Sequence, residues 1–535
     1  MKTLRYISIV TAALLLQSCN DLLTTVPNDR ISTTIFWKTE QDATFGANAV
    51  YTHLTEIAPW VASSTTPAGH YISWDGMTDI GYTHLPQSPE SFILQGQFDA
   101  LNSRVYNDYV SLYNGIHTAN SFMQHVDEVQ TTNTALIERL KGEVRTLRAY
   151  YYGKLAFLFG DVPLVTTELQ PSEGQKLTRT PVDQVWNFVE QELTEAADQL
   201  PNTQTDKGRM TKGAALALKA RYMLFAGRYQ DAADAAQAVM DLGVYSLYPA
   251  YKNLFTTAAE NNAEVIMDIE FIKGTLANDI FSALAQQSVT AKSLFVPTKA
   301  MVDAYTMANG LDITDPASGF DPRNPYTNRD PRLKYSVFVP GDMLPNNKVF
   351  NPNPTSTTGD AVGSTFTVSP TGFNVKKYVN AEDLSTPTNS GINLILIRYA
   401  EVLLTYAEAK TELNQIDASV YDAINKIRQR GDVMMPVIPS GKSQDELRQI
   451  IRHERLVELA FEGLRFFDIR RWKIAENVMP GKVYGMTYVD ANNNLQTVEV
   501  TGWQNYWDNR NYLWPIPQTE RDQNTGLGQN TGWGN

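Results

Sequence analysis

A charged segment near the end of the chain carries residue types that could do acid–base chemistry. The segment RHERLVELAFEGLRFFDIRRWKIAE, residues 452–476, contains Glu454, Glu458 and Glu462 at intervals of four. This spacing places three carboxylates on one face of a helix, with arginines close by. Two carboxylates facing a cleft would suit hydrolysis of a glycosidic bond. We favour the alternative, in which the acids and arginines form ion pairs between packed helices and fix their geometry.

Motifs for metal ions, cofactors and nucleophiles are missing from the sequence. His453-Glu454 begins like a zinc-protease helix, but Val457 stands where the second histidine would be. A nucleophile elbow, a phosphate-binding loop and a dinucleotide fingerprint are all lacking. Asp490 opens a stretch similar to a calcium loop, in which Leu495 replaces the turn glycine. The sequence therefore predicts no catalytic residue, no metal ion and no cofactor.

The N-terminus has the features of an exported and lipid-modified protein. Lys2 and Arg5 precede the apolar stretch Ile7–Leu16, which is too short to span a bilayer. Leu16-Gln17-Ser18-Cys19 resembles the bacterial lipobox, in which the signal is cut before a cysteine that then carries acyl chains such as palmitate. We therefore expect a signal peptide over residues 1–18 and a lipid anchor on Cys19. The alternative is a buried or chance cysteine behind an ordinary signal peptide.

The composition excludes several other classes of protein. The chain has 535 residues, with 45 Lys and Arg against 58 Asp and Glu, and a formal net charge of −13. Nucleic-acid binding needs clustered positive charge, so we expect no nucleic-acid partner. The chain has 1 cysteine, Cys19, which rules out disulfides, cysteine-rich zinc sites and a catalytic thiol elsewhere.

Apolar residues recur at steps of three and four in several segments, which predicts amphipathic helices. The predicted helical segments are 135–160, 182–200, 211–242, 394–410, 418–430 and one that opens at Ser443 with a capping box to Glu446. Residues 211–242 divide at Gly227 into a helical hairpin that resembles a tetratricopeptide unit. We predict a mainly α fold in which such hairpins form a scaffold.

Segments rich in turn-forming residues interrupt the helices. Residues 341–393 predict long loops with short strands, and residues 59–100 predict a second loop-rich region. The chain from residue 487 onward looks irregular and polar. We expect these loops to form a ligand-binding face. The predicted organisation is a single body over residues 19–535.

The sequence also resembles a known family, through motifs spread over nearly its whole length. They are Thr39 to Ala43, Tyr113 to Ile116, Glu143 to Tyr152, Phe159 to Pro163, Asn328 to Leu333, Ile397 to Glu401, Glu458 to Arg465 and Leu513 to Pro517. In order and spacing these motifs, together with Cys19, are similar to those of the SusD/RagB family of nutrient-binding outer-membrane lipoproteins.

The resemblance implies more than the residues show by themselves. It implies a SusD-like α-α superhelix with four tetratricopeptide-like hairpins and a loop-built ligand face. It implies an N-terminal SusD-like part over about residues 20–230 and a C-terminal SusD/RagB part over about 260–535. It also implies a lipoprotein on the outer face of the outer membrane that captures oligosaccharides and passes them to a SusC-like TonB-dependent transporter. Such proteins are not enzymes.

A loop between residues 59 and 86 supplies the candidate ligand contacts. Flat aromatic faces and short carboxylates suit the C–H faces and hydroxyl rims of sugars. The candidates are Trp60, Tyr71, Trp74, Asp75, Asp79 and Tyr82 in this loop, with Phe281 and Phe295 from a later segment. The alternative is that these aromatics fix the loop onto the helices.

Three functions remain open from the sequence. The first is a surface protein that binds glycans and works with a transporter. The second is a peptide or other nutrient binder of the same family. The third is a lipid-anchored glycoside hydrolase, because two cleft carboxylates cannot be recognised among 58 acidic residues without coordinates.

Overall fold

The computed structural model describes residues 36–56, 72–85, 87–169, 171–365 and 367–534. Cys19, the expected signal peptide, Trp60 and Tyr71 lie outside the described residues. The helices are α1 Glu40–Glu56, α2 Pro89–Leu94, α3 Ser103–His125, α4 Thr134–Phe159, α5 Pro171–Gly174, α6 Val182–Gln199, α7 Lys212–Phe225, α8 Tyr229–Asp241, α9 Ile280–Leu284, α10 Lys299–Ala304, α11 Arg332–Ser336, α12 Tyr399–Glu412, α13 Ala418–Arg428, α14 Gln444–Glu458, α15 Arg465–Arg471, α16 Ala475–Val478 and α17 Gln518–Gln523. The strands are β1 Gly81–Thr83, β2 Val265–Ile269, β3 Phe295–Pro297, β4 Val337–Phe338, β5 Asn374–Val375, β6 Leu394–Arg398, β7 Gly481–Val489 and β8 Leu495–Asn505.

Helical hairpins form the scaffold, which confirms the predicted mainly α fold. Helix α4 packs on α6, α7 on α8, and α12 on both α13 and α14. Contacts of α6 with α7, and of α8 with α12, join successive hairpins. Such stacking buries apolar faces that a single hairpin would leave in water.

The sequence sets the ends and the spacing of these helices. Helix α4 ends where predicted, because Gly160 adopts φ 70°, in the left-handed region open to glycine. Helix α14 begins with the predicted capping box between Ser443 and Glu446. Within α4, a Cβ atom at Gly153 would lie 2.2 Å from the ring of Tyr222 on α7. The glycine therefore allows α4 and α7 to approach closely.

Two predicted features are wrong. Residues 394–398 form β6, which pairs antiparallel with β2, so the helix of that hairpin begins only at Tyr399. All five residues of β6 are buried, and the apolar run over residues 394–397 suits a strand covered on both faces. The segment after residue 487 is not irregular throughout, because β7 and β8 form an antiparallel hairpin.

Short antiparallel pairs connect distant parts of the chain. β1 pairs with β3, so residues 81–83 lie beside 295–297. β4 pairs with β5, and β5 lies inside the predicted loop-rich region 341–393. Within the described ranges, no helix combines the length and apolar composition needed to cross a bilayer.

Candidate functional site

The charged segment predicted near the C-terminus forms a buried ion-pair network. Its carboxylates belong to Glu264, Asp330, Glu454, Glu458 and Glu462, and its cations to Arg332, Lys377, Arg398, Arg428 and Arg430. These side chains come from β6, α11, α13 and α14, and from residues just outside β2, β5, α11, α13 and α14. The network therefore joins α13 and α14 to the strands β2 and β6 and to α11.

Glu458 is the centre of this network. Its Oε1 accepts hydrogen bonds from Arg398 and Arg430, each at 2.8 Å, and its Oε2 accepts one from Arg332 at 2.9 Å. Burial alone would raise the pKa of Glu458, but the three guanidinium groups outweigh burial and hold the pKa below its ordinary value. A carboxylate that is buried, charged and fully paired can neither donate a proton nor reach a substrate. The interpretation as structural ion pairs is confirmed for Glu454, Glu458 and Glu462.

A second ion cluster lies at α15. Glu408 on α12 accepts hydrogen bonds from both terminal nitrogens of Arg471 and from the indole N–H of Trp472. Asp468 pairs with Arg471 and with Arg455, at 2.8 and 3.2 Å. Burial would raise the pKa of Asp468, and the two arginines reverse the shift to a net lowering. These acids also serve packing, in this case between α12, α14 and α15.

Trp74 is buried in an aromatic cluster. Its ring is 3% exposed and lies 4.8 Å from Phe466 and 5.5 Å from Trp514, between centroids. The guanidinium of Arg104 stands 4.4 Å from the indole centroid. The expectation of an exposed ring at this position is wrong, because the core formed by α3, α15 and residue 514 surrounds it.

Asp75 and Asp79 join the N-terminal half to the turn before α15. The two carboxylate oxygens of Asp75 accept hydrogen bonds from the backbone N–H groups of Gly463 and Arg465, both at 2.9 Å. Burial raises the pKa of Asp75 to about 7, against the opposing effect of these two donors. Asp79 forms a two-pronged pair with Arg465, at 2.9 and 2.7 Å. Both acids therefore have structural partners.

The other described candidates are buried as well. Tyr82 lies edge-to-face with Trp503, at 4.8 Å between centroids, beneath the β7–β8 hairpin. Phe281 is 0% exposed and packs against Phe338 in a separate apolar cluster. Phe295 is buried on β3, next to β1. The alternative that the aromatics fix the loop fits the described residues of this set, and Trp60 and Tyr71 remain predicted ligand contacts.

A cleft that the sequence analysis missed lies along α3. It has a volume of about 460 Å³, within the range of small-molecule sites, and is lined by α3, by parts of residues 163–177 and by residues 520–527 around the end of α17. We call it the α3 cleft. Tyr109, Tyr113 and His117 line it at helical spacing. That spacing in the sequence could have indicated a polar and aromatic helix face, but it does not show which segments form the other walls of the cleft.

Hydrogen bonds hold the walls of the α3 cleft in place. Tyr113 donates its hydroxyl hydrogen to the carbonyl of Pro163 at 2.8 Å, and Asn120 donates to the carbonyl of Val165 at 2.9 Å. On the opposite wall, Asn524 donates to the carbonyl of Leu177 at 2.8 Å. The cleft is therefore formed before any ligand arrives.

Metal binding has no support in this part of the chain. Among the described residues, no group of 3 or more His, Cys, Asp or Glu side chains is arranged to hold a metal ion. Asp490 instead accepts the backbone N–H groups of Asn492 and Asn494, both at 2.9 Å, in the turn between β7 and β8.

Stacked helical hairpins, a loop anchored by buried acids and a preformed cleft define a class of helical binding protein. Residues 263–533 match the SusD family, and residues 78–224 match a family described as starch-binding associating with outer membrane. Since the first match covers half of the chain, the protein belongs to the SusD family, as its motifs predicted.

Individual relatives extend over nearly the whole chain. SusD-like protein P2 of Formosa agariphila is 25% identical over 541 residues, which cover 97% of this chain and 98% of that protein. A SusD-like carbohydrate-binding protein of Bacteroides fragilis has a TM-score of 0.83 and 28% identity, covering 92% of this chain and 100% of its own. A laminarin-binding SusD-like protein shares the fold, with a TM-score of 0.71 at 22% identity, covering 93% of this chain and 100% of its own.

Proposed function

We propose that this protein is a lipid-anchored, cell-surface glycan-binding protein. It binds oligosaccharides and delivers them to a SusC-like TonB-dependent transporter in the outer membrane. The observation that carries the proposal is family membership, supported by a carbohydrate-binding structural relative at 28% identity and a TM-score of 0.83. The family described as associating with the outer membrane supports the location.

The arrangement around residues 57–71 supports a loop-built ligand face. The chain enters this segment from α1 and leaves it at residue 72, just before Trp74 and Asp75 dock on the C-terminal half. A loop whose root is fixed in this way loses less entropy when it binds a ligand. We place Trp60 and Tyr71 in contact with the sugar, with Trp74, Asp75, Asp79 and Tyr82 holding the loop.

The lipid anchor completes the proposal. An acyl group on Cys19 would tether the mature chain to the membrane, and the sequence leaves 16 residues between Cys19 and Phe36, where the described structure begins. An extended chain spans about 3.3 Å per residue, so this leader could reach about 50 Å. A tether of that length would leave the body within reach of a transporter in the same membrane.

The other two functions fit less well. The acids singled out for hydrolysis are buried and charged, with arginine partners, so they do not form an acid–nucleophile pair. We therefore propose that the protein is not an enzyme. A peptide ligand would rely more on hydrogen bonds to its backbone and less on a flat aromatic surface than a sugar does. No observation favours it over a glycan.

The test is glycan capture by the full-length chain in detergent. Titration calorimetry against plant, host and microbial oligosaccharides should give saturable heat with at least one of them. Chromatography of each mixture should then recover the sugar intact. Heat from peptides alone would support the second function, and new products would support the third.

A further inference from the structure

The α3 cleft has the chemistry of a binding site, and none of its described lining residues belongs to the segment 72–85. We propose that it is a second carbohydrate site, which holds a neutral sugar ring. This inference rests on the proposed function, because it assumes that the protein handles glycans.

The floor of the cleft is aromatic. The rings of Tyr109 and Tyr113 lie 4.8 Å apart between centroids, at 49° to each other. Tyr109 is buried, whereas Tyr113 is half-buried, with its hydroxyl hydrogen directed to the wall. The ring of Tyr113 thus offers apolar surface to the C–H face of a sugar, as aromatic rings at wet sites do.

Polar side chains that form no hydrogen bond to another described side chain surround this floor. His117, Glu520 and Gln523 line the cleft, and none of the three makes a side-chain hydrogen bond or ion pair to another described residue. They contrast with Asn120 and Asn524, whose amides are used in holding the walls. Together the three rim groups supply both donors and acceptors, which matches the hydroxyl rim of a sugar.

Charge selects the class of sugar. Among the described lining residues there is a carboxylate, that of Glu520, but no lysine or arginine. Burial raises the pKa of Glu520, and no cation opposes the shift. An acidic sugar would bring a second negative charge next to this carboxylate, with no lysine or arginine in the described lining to compensate it. The cleft therefore fits a neutral sugar and disfavours a uronic acid.

Gly174 allows the cleft to be blocked without disturbing the core. It lies in the cleft wall, and a Cβ atom built there meets no other atom within 4 Å. Gly174→Trp would place an indole in the open space. Ser172→Trp is the matched control, because Ser172 is exposed in the same short helix and does not line the cleft.

The experiment is equilibrium dialysis of the full-length chain in detergent against laminaritriose, cellotriose and maltotriose. We expect at least one trisaccharide to bind, and Gly174→Trp to bind one molecule fewer per chain than the native protein. Ser172→Trp should match the native stoichiometry. Equal stoichiometry in Gly174→Trp and the native protein would overturn the second site while leaving glycan capture intact. No binding of any of the three by the native protein would also overturn it, whatever longer glycans do in calorimetry.

A charge variant tests the proposed selectivity. Glu520→Gln removes the carboxylate and keeps the size and hydrogen-bonding capacity of the side chain. Trigalacturonate should bind this variant more tightly than the native protein, by a factor of about 5 to 10, as expected for losing one nearby like charge. Neutral trisaccharides should change less. An unchanged affinity for trigalacturonate would overturn the assignment of the cleft to neutral sugars.

Discussion

Arg465 forms a two-pronged salt bridge with Asp79, which lies 386 positions earlier in the chain. The distances are 2.9 Å from Nε to Oδ1 and 2.7 Å from Nη2 to Oδ2. The backbone N–H of the same arginine donates to Asp75. One residue of the C-terminal half therefore holds both acids that follow the segment 57–71. The position of the residues that follow this segment therefore depends on a contact between the two halves of the chain.

Removing Asp79 should therefore weaken the whole fold. Asp79→Ala leaves Arg465 mostly buried without its partner, which costs about 3–5 kcal/mol in comparable pairs. The free energy of unfolding in urea measures this loss. Lys442→Ala is the control, because it breaks an exposed pair with Glu446 and should cost no more than about 1 kcal/mol. Equal effects of the two variants would contradict the role of Asp79.

Trp74 should matter for stability before it matters for binding. Trp74→Ala removes a ring packed against Phe466 and Trp514 and should lower the free energy of unfolding by about 3–5 kcal/mol. Trp74→Phe keeps an aromatic ring in the cluster. If Trp74 holds the loop root, the glycan affinity of Trp74→Phe should remain within about twofold of native. A stable Trp74→Phe variant that no longer binds would show direct contact with the sugar.

Asp268 should make stability depend on pH. Burial raises the pKa of Asp268 to about 7, and the nearby carboxylates of Glu270 and Glu260 add to the shift. The folded chain then holds this proton more tightly than the unfolded chain, so the contribution of Asp268 to stability falls as pH rises from about 4 to 7. Asp268→Asn should remove this part of the dependence of stability on pH.

The comparison is the free energy of unfolding from pH 5 to pH 8 for native protein, Asp268→Asn and Asp198→Asn. The free energy of unfolding of Asp268→Asn, relative to that of the native protein, should increase with pH. The increase should be no more than about 4 kcal/mol for a pKa shift of this size. Asp75 has its pKa raised to the same value and is present in all three proteins. Asp198 lies exposed on α6, and its variant should follow the native curve. A pH-independent gain would contradict the raised pKa of Asp268.

Cys19 should determine the location of the chain. Cys19→Ala removes the sole thiol and with it the attachment point for acyl chains. We expect the variant to leave the outer-membrane fraction, whereas Ser18→Ala, which keeps a small residue before the cysteine, should remain there. Protease treatment of intact cells tests the surface orientation of the Ser18→Ala and native chains. A membrane-bound Cys19→Ala chain would contradict the lipid anchor.

The helical scaffold could be predicted from the sequence because its signals are local. The stop at Gly160 and the capping box at Ser443 act within a few residues. The prediction of a helix over residues 394–398 is wrong because an apolar run suits both a buried strand and a helix. Which of the two forms depends on pairing with β2. The ion pairs of Glu458 were anticipated in kind, but their partners Arg332 and Arg398 lie 126 and 60 positions away.

The candidate site was harder to predict, because it too depends on contacts between residues far apart in the chain. Trp74 and Tyr82 have the composition of a sugar platform, yet their exposure depends on Phe466 and Trp503, which are far along the chain. The α3 cleft depends on loops meeting residues of α17. Side-chain types indicate possible chemistry, whereas burial is set by distant partners.

The most direct test of the central claim is calorimetry with the full-length chain and oligosaccharides, followed by chromatography of the sugars. The account predicts saturable heat with intact sugar recovered, and no heat with peptides. Recovery of shortened sugars, or saturable binding of peptides without any glycan, would contradict it.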